Sequence, residues 1–165
     1  MYKKMTLVLI LAAVFAPSIA TAVNVPGDQS TPAAFEVNYI IVSSTGFSVN
    51  SIAIVEKMNF TANRDQKDVE PAGQIAATGT PWATISNNGD VAQTFRVNLT
   101  TANPGSIQLR VSNFSDMRNS VVLAASAQSP TGWNSVPAGA SVNLYAKANF
   151  TLATNTTRNL NIIAT

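Results

Sequence analysis

The chain has 165 residues, ten Lys and Arg against eight Asp and Glu, and neither Cys nor His. Without His it lacks the commonest general base and the commonest transition-metal ligand, which excludes Ser-His-Asp and Cys-His triads and the usual zinc and copper sites. Without Cys there is no disulfide and no lipobox cysteine for a lipid anchor, so the fold must rest on its core.

Taken in chain order, the first feature is a basic start at Lys3 and Lys4. An almost unbroken apolar run from Thr6 to Ala16 follows. Pro17 breaks this run, and Ala20, Thr21 and Ala22 put small residues where signal peptidase reads. Residues 1–22 are expected to be a secretory signal cleaved before Val23. The apolar stretch is too short for a stable transmembrane anchor. The expected location is therefore outside the cytoplasm: secreted, extracellular or at the cell surface, with the periplasm as the other compartment. Cleavage removes Lys3 and Lys4, so the eight remaining basic groups balance eight acidic ones. No Lys/Arg cluster is left, which argues against nucleic acid and anionic membrane as partners. The mature residues 23–165 suit one domain, large enough to bury about 68–70% of its unfolded surface.

A leader over residues 23–34 precedes strand candidates at 35–42 and 47–55, separated by Ser44, Thr45 and Gly46. Ile40, Ile41 and Val42 are apolar on both faces, as in a central strand. Residues 57–81 read as a long polar loop, with a short edge strand expected near 74–77. A strand at 82–86 leads into Asn87, Asn88, Gly89 and Asp90, where Asn-Gly signals a hairpin to the next strand. There Phe95, Val97 and Leu99 alternate with Arg96 and Asn98. Asn103, Pro104 and Gly105 join that strand to Ile107, Leu109 and Val111. Residues 121–125 form another candidate. After Pro137, Ala138 and Gly139 comes the clearest strand, 142–152, apolar at every second residue from Val142 to Leu152. Residues 160–164 complete the set. The expected fold is an all-β, antiparallel, immunoglobulin-like β-sandwich of roughly 7–9 strands.

Two stretches, NNGDVAQTFRVNL and VPAGASVNLYAKANF, resemble the strand–turn signatures of immunoglobulin-like domains of prokaryotic surface proteins. The cell-adhesion-related (CARDB-like) domains belong to that group. The resemblance spans about half of the mature chain and carries over no functional residue. It implies a binding, spacing or structural module.

Five Asn-x-Ser/Thr triplets, at Asn59, Asn98, Asn113, Asn149 and Asn155, are candidate glycosylation sites. An Asn-, Ser- and Thr-rich chain of this length holds roughly three such triplets by chance, a small excess to be weighed against the glycan reading. Asn98 and Asn149 fall on the expected wet faces of their strands. Asn63, Asp65, Asp68 and Glu70 bring oxygen ligands of the calcium-binding type into one loop. Arg64 and Lys67 sit among them and the spacing is not that of an EF-hand, so a solvated charged loop is the favoured reading. No metal and no cofactor are expected. Trp82 opens a strand and reads as core, whereas Trp133 lies in a turn-like Thr-Gly-Trp-Asn context. Tyr145 falls on a wet face, so Trp133 and Tyr145 are the candidates for stacking on a sugar ring. Glu56 and Glu70 are not placed in any cleft, and no enzyme activity is expected.

The expected function is that of a secreted, non-enzymatic structural or adhesive subunit of the cell surface. Its partners would be other copies of itself or cell-surface components. The strand-like segments at 35–42 and 160–164 carry almost no charge, and such strands can complete a neighbour's sheet. The alternative is a carbohydrate-binding module built on Trp133 and Tyr145.

Overall fold

The computed structural model describes residues 32–41, 46–51 and 57–165. The expected signal at 1–22, its cleavage point and Glu56 lie outside the described residues. Among the described residues nine strands form: β1 Ala33–Ile41, β2 Phe47–Ser51, β3 Lys57–Ala62, β4 Ala83–Asn87, β5 Phe95–Leu99, β6 Ile107–Ser112, β7 Val121–Val122, β8 Ser141–Phe150 and β9 Thr156–Ala164. They build two sheets, a four-stranded one in the order β3-β1-β9-β5 and a five-stranded one in the order β2-β4-β8-β6-β7. Every pairing is antiparallel except β1 with β9, which run parallel. The molecule is an all-β sandwich, as its alternating pattern predicts. No helix among the described residues is long and apolar enough to cross a membrane.

Period-2 alternation turns into a core because each strand presents one side-chain row to the opposite sheet. Phe35 and Val37 of β1, Met58 and Phe60 of β3, Phe95 and Leu99 of β5, and Leu160 and Ile162 of β9 face Ile85, Leu109, Leu144 and Phe150 in a single cluster. Rings meet across the sandwich. Phe35 meets Phe150 edge-on at 6.1 Å, and Phe47 meets Phe95 at 5.4 Å.

The connections differ from the expected hairpins. β4 and β5 lie in different sheets, and so do β5 and β6. Residues 87–90 therefore carry the chain across the sandwich. A hairpin of the Asn-Gly kind needs positive φ at both central residues, and neither Asn88 nor Gly89 has it. Asn87 redirects the backbone instead. Its Oδ1 accepts the Gly89 N–H at 3.0 Å, an Asx turn, while its buried Nδ2 donates to the carbonyls of Val91 and Val136. Among the described residues, only β6 and β7 are consecutive strands that pair with each other.

The long loop expected at 57–81 is also corrected. Its first six residues are β3, with Met58, Phe60 and Ala62 buried and Lys57, Asn59 and Thr61 turned outward. The polar outward residues hide a genuine alternation. The rest of the segment is exposed over 63–68 yet completes a sheet. β4 pairs with β8 only over residues 141–144. Beyond that point the same side of β8 bonds to this segment. Ala146 N and O take the two ends of the buried Gln74 amide, at 2.8 and 2.9 Å. Ala148 exchanges bonds with Val69 at 2.9 and 3.0 Å, and Phe150 N donates to Gln66 O at 2.7 Å. A one-turn 3-10 segment, Ala76–Thr78, replaces the edge strand expected near 74–77.

Candidate functional site

The most unusual placement in the fold is that of β1. The chain's first described strand and its last are neighbours, and both are inner strands of one sheet. β1 pairs with β3 from Ala33 opposite Ala62 to Asn38 opposite Lys57. On its other side it pairs in parallel with β9, from Phe35 beside Thr156 to Ile41 beside Ile162. This position demands an apolar inner row, and β1 supplies it. Phe35 and Val37 are fully buried, Phe35 stacks on Phe60 at 5.5 Å, and Tyr39 meets Trp82 edge-on at 5.8 Å.

The outer row of β1 is tied by polar contacts. Asn155 Oδ1 accepts the Ala34 N–H at 2.9 Å, where the strand enters the sheet. Glu36 pairs with Lys57 at 3.5 Å, and Asn38 Nδ2 donates to Asn159 Oδ1 at 3.2 Å. The outer edges of the sheet are partly closed. On β5, the N–H groups of Phe95, Val97 and Leu99 donate to the carbonyls of Trp133, Gln128 and Ala124. On β3, Asn59 O accepts from Ala72 N at 2.8 Å. Such coverage blocks casual edge-to-edge pairing. Between β3 and β9, β1 is an inner strand of its own chain's sheet.

The residues expected to stack on sugar do not form a platform. Trp133 is fully buried, its Nε1 donates to Asn143 O at 3.2 Å, and its carbonyl closes the β5 edge. The turn around it folds back against β5 and plugs the sandwich. Tyr145 is 3% exposed despite its outward position on β8, because the 3-10 segment covers it. It packs in a small cluster with Ala76 and Met117, and its hydroxyl donates to Gly79 O at 2.6 Å. Burial raises the Tyr145 pKa above the usual tyrosine value.

The oxygen-rich loop does not converge on a cation. Asp65 pairs with Arg64 at 3.1 Å, Asp68 with Arg110, and Glu70 with Lys147 at 3.3 Å. Glu70 also accepts the Ala76 N–H at 3.1 Å, while Asn63 donates its own N–H to Gln66. Among the described residues no three acidic side chains gather as metal ligands. A cleft of about 310 Å³ beside the loop is lined by Asp65, Lys67, Gln108 and Asn149, among others. Among the described residues Asp65 is the one carboxylate on its wall.

The candidate glycosylation residues are scattered. Asn59, Asn98 and Asn149 stand on β3, β5 and β8 and are partly buried, Asn113 follows β6, and Asn155 is exposed just before β9. The sequence reading missed the contact of Asn155 with β1 and the strand-like part played by Gln74. Both join residues far apart in the chain, by 121 and 72 positions, and no local pattern signals them. Compared with known proteins, the chain matches no family model and no curated protein.

Proposed function

We propose that this chain is an exported, non-enzymatic β-sandwich subunit of a cell surface, structural or adhesive, that joins neighbouring copies by exchanging β1. The observation that carries this reading is the way β1 is seated. One strand at the start of the chain fills a slot between β3 and β9 and supplies Phe35 and Val37 to the core. A strand from a second copy would make the same main-chain bonds and fill the same pockets. An empty slot would expose Phe60 and Phe150, so some copy has to fill it.

The absence of Cys makes a clean test. Asn59 O faces Ala72 and not β1. Glu36 and Asn59, opposite each other in register, therefore form a non-hydrogen-bonded pair. The Cα atoms of such pairs lie about 4.5 Å apart, within disulfide range. Mixing E36C protein with N59C protein under mild oxidation should give a covalent dimer. The double variant, oxidised within one chain, should stay monomeric and assemble again on reduction. Full assembly of chains shown by mass to be locked internally would sink the proposal.

A further inference from the structure

The geometry points to Asn155 as an N-glycan acceptor, its side-chain nitrogen receiving a sugar from a lipid-linked oligosaccharide diphosphate. This inference rests on the proposed export of the chain. Five Asn residues carry the acceptor triplet, and their surroundings separate them.

Acceptor triplets belong to surface loops. Asn59, Asn98 and Asn149 are instead held in paired strands. Asn98 Nδ2 donates to Ala125 O at 2.8 Å and to Leu99 O at 3.3 Å, and its Oδ1 accepts from Asn161. Asn149 accepts the Asp68 N–H at 2.8 Å and donates to Gln108. Asn59 is partly buried and its Oδ1 has no hydrogen-bond partner. Asn113 accepts the Asn143 N–H at 2.8 Å. Its Nδ2 lies against Gly132, so close that a Cβ there would meet it at 2.7 Å.

Asn155 differs on each count. It is exposed, lies outside the strands in the connection from β8 to β9, and is followed by Thr156 and an exposed Thr157. Among the described residues its one hydrogen bond uses Oδ1, which accepts from Ala34 N at 2.9 Å, and Nδ2 has no partner there.

The chemistry is compatible with the fold. Nδ2 attacks the anomeric carbon of the donor and a C–N bond forms. The bond from that carbon to the diphosphate oxygen breaks, and the lipid diphosphate leaves with the electron pair. Nδ2 gives up one proton to the transferase's base. The product is a secondary amide that keeps its carbonyl oxygen, so the bond from Ala34 N survives and β1 stays seated. At Asn98 the same reaction would remove one of the two N–H donors that serve the carbonyls of Ala125 and Leu99.

The test is mass spectrometry of the exported protein from its native host, comparing wild type with T157A, T157S and T151A. The wild type should carry a glycan on the peptide that holds Asn155. T157A should lose that mass entirely, T157S should keep it, and T151A, which breaks the Asn149 triplet, should leave it unchanged. Exported protein starting near Val23 with a bare Asn155 peptide would overturn this inference alone. Chains retained inside the cell with residues 1–22 attached would overturn the export reading together with it.

Discussion

Truncating Phe35 to Ala tests whether β1 belongs to the cooperative core. The ring is 0% exposed, stacks on Phe60 at 5.5 Å and 30°, and meets Phe150 edge-on at 6.1 Å and 77°. Removing a buried Phe costs about 3–5 kcal/mol. The two ring contacts account for roughly 0.5–1.5 kcal/mol each within that figure. The neighbouring residue supplies the control. Glu36 faces outward and pairs with Lys57, with side chains 39% and 48% exposed, so Glu36→Ala should cost at most about 1 kcal/mol. Urea unfolding is readily followed by tryptophan emission, because Trp82 and Trp133 are both fully buried in the folded chain. With a slope of about 1–3 kcal/mol per molar urea, Phe35→Ala should lower the midpoint by at least about 1 M without changing the slope. Glu36→Ala should move it far less. Equal, small shifts for the two variants would show that residues 33–41 lie outside the folded unit, and the exchange proposal would lose its basis.

Gln74→Ala strips both partners from the buried N–H and C=O of Ala146, each loss costing about 1–3 kcal/mol, so thermal unfolding should reveal a drop well beyond that of an ordinary surface change. Gln74→Glu still accepts from Ala146 N but, while ionised, sets a buried carboxylate oxygen against the Ala146 carbonyl, so it should cost at least as much as Gln74→Ala; a neutral effect of Gln74→Ala would mean that this side of β8 is not closed by the segment. Tyr145→Phe removes the bond to Gly79 O and should cost about 0.5–1.5 kcal/mol at neutral pH. Burial makes the folded chain hold the Tyr145 proton above the unfolded tyrosine value of about 10. Above that pH the unfolded state binds fewer protons, so stability falls as pH rises through the raised folded pKa. The gap between wild type and Tyr145→Phe should narrow as denaturation is repeated from pH 8 upward, and a constant gap would contradict the buried hydroxyl.

Which residues alternate is a property of the sequence alone. Phe95, Val97 and Leu99 of β5 and the apolar row of β8 are readable without a structure, because each strand must hide one face whatever it pairs with. The all-β class follows from the same local rule, but the burial of Trp82 does not, because it precedes β4 and shares the parity of the outward residues Thr84 and Ser86. Where a strand sits, and what covers its outer face, is decided by contacts distant in sequence. β9 starts at Thr156, earlier than its apolar residues suggest, because β1 holds its polar first half in register, while β5 pairs only with residues 160–164. Asn87 turns an apparent hairpin into a crossing between sheets by binding its own backbone. Tyr145 looks exposed by parity, and Trp133 by its turn context, until segments far away in the chain fold over them. The acids at 65, 68 and 70 look like one cluster in sequence, but Asp68 and Glu70 are drawn to cations on β6 and β8 while Asp65 pairs with its neighbour. Periodicity is written into each segment, whereas partnership and burial depend on segments meeting across the sandwich, so only the tertiary structure decides them.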